Sequence, residues 1–358
     1  MVSDKWNRFL KSRKTTYLIS AVLGVGLILT LFFFVDIREV YASLLSVSIG
    51  WVGISLTALF LSDMTKGWRW KTLLNPSKQV KFTNTWGISI IGSFVNTLFP
   101  IRAGEFAIRP YLMEKREGIK FFNVLSSIIV ERTIDVLVLV AFATGMLFAL
   151  PAGLGAPQWF LNTIGILGAI AIAVFATIMV GSRRKERLFK VEGKVVAKVP
   201  LPERWKKRLD CFFRDTVQGA QGISRRPTLT VAVLLQTVVV WLFNMASVYA
   251  IFNAFSFEAP LLVIITGGIL LLLTLAIPAP PAYLGSFELY WSVIFLGLGI
   301  SPTEIIAIAL LYHLTSILLI VVEGYTVMLW LGLSLRKMLE QRGTEKQLSP
   351  GGGDIRAA

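Results

Sequence analysis

The chain has one cysteine, Cys211, and one histidine, His313, among its 358 residues. A single cysteine excludes an intrachain disulfide. A zinc site needs three or four ligands, usually His and Cys, and has almost nothing to draw on here. Acidic residues are also scarce: 21 Asp and Glu stand against 36 Lys and Arg, for a net charge of +15. There is no Ser/His/Asp set and no phosphate-cradling glycine loop. What is abundant is apolar. Ala, Val, Ile, Leu, Met, Cys and aromatic residues make up 55% of the chain, in recurrent runs of roughly 20 residues, which is the composition of an all-α polytopic membrane protein. Basic residues of such proteins collect in cytoplasmic loops, so the charge is explained without nucleic acid.

The runs and charges predict an order of segments. Residues 1–16 carry Lys5, Arg8, Lys11, Arg13 and Lys14 with Trp6, Phe9 and Leu10 at helical spacing, an interfacial helix on the cytoplasmic surface. A first transmembrane half, 17–181, begins with Tyr17–Val35, read as a retained helix because no small-x-small cleavage site follows it. A second span near 44–62 ends at a basic-aromatic boundary, Asp63 to Lys71. Long spans are expected at 121–150 and 159–180. Residues 182–227 form a basic linker with 14 Lys and Arg, either a solvated connection or an amphipathic helix on anionic lipid. The second half, 228–333, has spans at 228–252 and 303–333, and 334–358 is a polar tail.

The segment 84–118 is the decisive one. Were it a full crossing, Arg102, Arg109, Lys115, Arg116 and Lys120 would lie outside, against the positive-inside bias. Pro100 and Gly104 instead predict a hairpin that enters from the cytoplasm and returns. Irregular backbone at that depth must be surrounded by protein or line a wet cavity. Residues 261–299 repeat the pattern. Gly87, Pro100, Gly104, Phe106, Gly118 and Ile119 recur, 181 positions later, as Gly268, Pro281, Gly285, Phe287, Gly299 and Ile300. Most of these identities fall on helix breakers. With the charge count, they predict an inverted repeat of six spans and two opposed re-entrant hairpins, both termini cytoplasmic, in the cell (inner) membrane. Paired interrupted helices point to a transporter's substrate site.

The charged residues gather at the first hairpin. Asn96 precedes Pro100; Arg102, Glu105 and Arg109 follow it; Glu131, Arg132 and Asp135 lie on the next helix. An ionised side chain near the bilayer centre costs roughly 2.5–3.5 kcal/mol on insertion scales, so these groups must pair or line a wet cavity. Arg102 and Arg109 are expected to hold an anionic head group, as bidentate donors beside a helix N-terminus. Arg132 is expected to pair with a carboxylate, Glu105 first. Glu131 and Asp135 are equally readable as structural partners. At the aligned positions of the second half stand Tyr283, Tyr290 and His313, with Glu288 nearby. This aromatic half suits lipid tails, and His313 reads first as a buried polar residue and second as a proton carrier.

The segments Pro100-Ile-Arg102-Ala-Gly104-Glu105 with Arg109, Glu131-Arg132-Thr-Ile-Asp135 and Pro281-Ala-Tyr-Leu-Gly285-Ser-Phe-Glu288 resemble the flippase-like family, the lysylphosphatidylglycerol synthase transmembrane region. The resemblance covers residues 15–335. Ala282-Tyr283 stands where the family has a glycine pair. It implies movement of lipid across a bilayer. Two-domain relatives flip an aminoacylated phospholipid made by a C-terminal synthetase. Here only residues 334–358 follow the last helix, so that activity is not expected. An anionic phospholipid or a polyprenyl-phosphate carrier becomes the expected substrate, with no cofactor. The alternatives are an integral membrane enzyme acting on a lipid-linked substrate, such as a glycosyltransferase or phosphatase, with Glu105, Glu131 or Asp135 as the acid–base group, or an assembly partner of another membrane protein.

Overall fold

The computed structural model describes residues 37–98, 104–149, 158–183, 226–257, 259–274, 280–298, 300 and 302–333, with Phe189, Pro202, Lys206, Asp210 and Arg214 between the halves. The expected interfacial segment 1–16, the span Tyr17–Val35, Arg102, nearly all of the linker and the tail lie outside the described residues. No strand occurs among the described residues.

The helices are α1 (Ile37–Leu45), α2 (Ile49–Leu74), α3 (Phe82–Leu98), a π-turn (Gly104–Ile108), α4 (Arg109–Glu117), α5 (Phe121–Ala149), α6 (Gln158–Arg183), α7 (Pro227–Ala254), α8 (Leu261–Thr274), a 3₁₀ turn (Pro281–Tyr283), α9 (Ser286–Gly297) and α10 (Pro302–Trp330). Two of them, α7 and α10, are long and apolar enough to cross a membrane, and the α1–α2 pair, bent by 84°, makes a third if taken as one span. The expected second span is longer than the apolar run suggested. Helix α2 continues through the basic-aromatic stretch to Leu74 and carries Asp63, Lys66 and Arg69 with it.

Helices α2 and α7 form the central seam, and they run antiparallel. The backbone amide of Ser48 donates to the carbonyl of Ala254 (2.8 Å). Ser55 Oγ meets Ser247 Oγ at 2.9 Å, and Asn244 donates to Ser62 Oγ at 2.7 Å. Ser48, Ser55 and Ser62 recur every seven residues, as do Val240, Ser247 and Ala254. A heptad of small residues lets two helices approach closely, and inside a membrane the serine hydroxyls find their partners across the seam.

The segment 82–117 is a helical hairpin. Gly92 lies against the Arg109 side chain, and Asn84 donates to the Glu117 carboxylate, so α3 and α4 run side by side in opposite directions. The apex, residues 99–103, is outside the described residues. Lys78, Lys81, Lys115, Arg116 and Lys120 fall together at the open end of the hairpin. Arg116 also donates to the carbonyl of Leu331 just beyond α10 (2.9 Å), a favourable place for a cation at a helix C-terminus. In the second half Gly267 on α8 presses on the ring of Phe295 on α9.

Element bounds repeat at the offset read from sequence. The first residues of α5 and α10, 121 and 302, and their last, 149 and 330, are each 181 apart. Packing repeats too: α3 lies on α10 as α8 lies on α5, and α4 lies on α5 as α9 lies on α10. Helix α6 has no counterpart among the described residues and packs on α5, where Gly168 meets Val140.

Candidate functional site

Beneath the first hairpin six charged side chains close into an alternating ring. Arg69 donates to Asp135 (2.5 Å) and to Glu131 (2.7 Å). Arg109 donates to the other oxygen of Glu131 (2.9 Å) and lies 3.7 Å from Glu105. Arg132 binds Glu105 through Nε and Asp135 through Nη1 (3.0 Å). Each guanidinium touches two carboxylates and each carboxylate two guanidiniums, so the ring carries no net charge. It joins α2, the π-turn, α4 and α5.

The local sequence explains the geometry. Gly104 lies so close to the carbonyl of Gly92 that a Cβ there would collide with it. Asn96 Oδ1 accepts the amides of Gly104 (2.9 Å) and Glu105 (3.3 Å), satisfying the start of the turn. The widened π-turn follows, an irregularity frequent at functional sites. It delivers Glu105 and Arg109 to the ring. Trp70, fully buried, has the Arg109 guanidinium 4.0 Å from its ring and donates through Nε1 to Ser127 (3.0 Å). Cation–π contact and bidentate pairing both favour arginine over lysine here.

One cavity opens on this ring and a second adjoins it. The ionic chamber, 240 Å³, is walled by the six ring residues with Lys66, Asn96, Asn244 and Trp241. The second, 340 Å³, is walled by Asp63, Asn96, Thr97, Tyr283, Phe287, Tyr312 and His313. Lys66, Ser93, Asn96, Asn244 and Leu272 line both. The larger alone has the size of a small-molecule site, roughly 300–1,000 Å³.

The sequence-derived residues fall as follows. Asn96, Glu105, Arg109, Glu131, Arg132 and Asp135 come together, and the expected Arg132–Glu105 pair is present. Tyr283, Glu288 and His313 come together on the far side, with His313 Nδ1 2.7 Å from Glu288. Arg109 departs from expectation: only 3% exposed, its guanidinium serves Glu131 and Trp70 instead of standing open to a head group. The aromatic residues of the second half are also packed more tightly than a lipid-contacting face requires. Trp291 is fully buried against Phe252, Phe295 and Tyr312.

Sequence reasoning missed Arg69, Lys66 and Asn244. In the sequence Arg69 sits in the basic-aromatic boundary as an interfacial cation, yet it is 1% exposed and donates to two carboxylates and to Thr237 (3.0 Å). The signal was present: Arg69 is the next step of the heptad Ser48, Ser55, Ser62 and so belongs to the α7-facing side of α2. Lys66 pairs with Asp63 at 2.9 Å, and its side chain is 33% exposed.

A family model described as the lysylphosphatidylglycerol synthase TM region matches residues 17–324. The chain is 23% identical over 256 residues to a UPF0104 membrane protein of Methanothermobacter thermautotrophicus, covering 70% of this chain and 76% of that one. It is 20% identical over 335 residues to a UPF0104 membrane protein of Methanocaldococcus jannaschii, covering 89% and 96%.

Proposed function

The chain belongs to the lysylphosphatidylglycerol synthase transmembrane-region family, and from that premise we propose that it moves a phosphate-bearing lipid, or a lipid-linked head group, between leaflets. The observation that carries this is the pair of adjoining chambers at the meeting of the α2–α7 seam with both interrupted segments. One chamber is ionic and the other largely apolar and aromatic, which matches the two ends of an amphiphile. In this reading the two halves are an inverted repeat and both hairpins re-enter the membrane. Support comes from α2 and α7, repeat mates that run antiparallel, as mates related by an axis in the membrane plane must.

The ring sets the chemistry. Three guanidiniums neutralised by three carboxylates form a rigid floor, not an open anion site. The cations with side-chain surface at the chambers are Arg132, 39% exposed, and Lys66, 33% exposed. They offer a phosphate two donors, with Asn96 and Asn244 beside them. The carboxylates argue against an enzyme. Glu105, Glu131 and Asp135 each bind two guanidiniums, which removes the freedom an acid–base group needs.

The test is a leaflet-accessibility assay in proteoliposomes with fluorescent anionic phospholipids and polyprenyl phosphates. Wild-type protein should accelerate movement over protein-free vesicles. Lys66→Gln, which leaves the ring intact, should slow it about tenfold, the effect of losing one charge-assisted hydrogen bond. Wild-type vesicles no faster than protein-free ones with every anionic lipid would refute transport. Chemical conversion of the lipid, read by mass spectrometry, would establish an enzyme instead.

A further inference from the structure

The second half holds a buried ionisable pair that the ionic ring does not use. His313 is flanked at both ring nitrogens by oxygen acceptors: Nε2 lies 2.7 Å from the carbonyl of Ala282, and Nδ1 lies 2.7 Å from Glu288 Oε1. A carbonyl can only accept, so Nε2 carries a hydrogen. Nδ1 and Oε1 at 2.7 Å then need one proton between them, whichever of the two holds it. Without that proton, two lone pairs face each other in a site where His313 is 6% and Glu288 2% exposed. The other Glu288 oxygen accepts the amide of Gly285 (2.9 Å), and Phe287 stacks on the imidazole at 4.3 Å.

We propose that His313 and Glu288 form a proton-binding site that latches the turn 281–285 against α10, and that the proton is the coupling ion of the transporter. The turn is poised to move. Ala282 and Tyr283 are held at φ 53° and 58°, in the left-handed region, a conformation that persists only where the surroundings impose it. Both residues wall the larger chamber. Loss of the proton leaves the imidazole one hydrogen for two acceptors; the Glu288 carboxylate takes it at Nδ1, the Ala282 carbonyl loses its donor, and the turn relaxes out of the chamber wall. The other ionisable groups facing this region are Asp63 and Lys66 from α2, Glu323, a further ten residues along α10, and the hydroxyls of Tyr283, Tyr290 and Tyr312. Of these, Asp63 and Lys66 already pair with each other. The coupling rests on the transport reading above; the proton site does not.

Hydrogen–deuterium exchange of the full chain in lipid nanodiscs tests it. Wild type and Glu288→Gln are compared at the same pH, so that intrinsic exchange chemistry cancels. A glutamine amide donates to Nδ1 without any proton and mimics the latched state. Amides 282–285 should exchange alike in both proteins in acid and several-fold faster in wild type at alkaline pH. Glu288→Ala, which cannot latch, should exchange fast at both. Equal rates in wild type and Glu288→Gln at alkaline pH would overturn the proposal. The readout involves no lipid movement, so it stands or falls separately from transport.

Discussion

Arg69 illustrates what a buried charge demands of its surroundings. Its two terminal nitrogens reach Asp135, Glu131 and Thr237, and its side chain has almost no solvent contact. Removing one partner of a buried pair strands the others, at a cost of roughly 3–5 kcal/mol. Arg69→Ala should therefore lower the thermal unfolding temperature in detergent sharply, because Asp135 and Glu131 keep only Arg132 and Arg109. Arg69→Lys should recover a minor part, since one ammonium cannot serve two carboxylates with a planar fork. An unfolding temperature equal to wild type in Arg69→Ala would mean that the ring is not a structural unit. The same logic changes the expectation for Arg109. Its substitution should cost stability before it costs binding, whereas Lys66, partly exposed and outside the ring, separates the two effects.

Among the elements, the first hairpin depends on two glycines. A Cβ on Gly92 would come within 2.7 Å of Arg109 Cγ, and one on Gly104 would collide with the Gly92 carbonyl, which a backbone cannot yield cheaply. Overpacking of this kind costs roughly 1–3 kcal/mol. Gly104→Ala should spread α3 from the π-turn, pull Glu105 away from Arg132, and lower both thermal stability and lipid movement. Gly145→Ala on α5, where a Cβ meets nothing within 4 Å, is the control and should be neutral in both measurements. A Gly104→Ala protein as stable and active as the control would show that the close approach is not required.

The elements also show what was legible in the chain. Helix breakers at Pro100 and Gly104, and again at Pro281 and Gly285, mark the interruptions between α3 and α4 and between α8 and α9, and α5 and α10 begin within one residue of the expected starts. The expected pairing of Arg132 with a carboxylate, Glu105 first, is present. Two things were not legible. The end of an apolar run is not the end of a helix: α2 continues twelve residues past Ser62 because Asp63 and Lys66 satisfy each other and Arg69 is satisfied by α5. Nor does sequence tell which cation is covered. Arg109 and Arg132 look alike on paper. The Trp70 ring and the α3 backbone close over Arg109, while Arg132 keeps an open side.

At the scale of the whole molecule, the repeat makes the sharpest claim. In the proposed inverted repeat α2 and α7 are antiparallel mates, so whatever enters from one side in the first half should enter from the other side in the second. Helix α3, with 17 residues, is about 25 Å long at 1.5 Å per residue, just short of a hydrocarbon core of roughly 30 Å. The five Lys and Arg at the open end of its hairpin stay in the cytoplasm only if the hairpin returns there. Cysteine labelling reads this directly. In a Cys211→Ser background, Glu114→Cys marks the base of the first hairpin, and Gly297→Cys, where nothing lies within 4 Å of a Cβ, marks the base of the second. An impermeant maleimide should reach the first only from the cytoplasmic side and the second only from the opposite side. Labelling of both from the same side would exclude the inverted arrangement. Labelling of Glu114→Cys from outside would mean that α3 crosses completely and carries Lys115, Arg116 and Lys120 out with it.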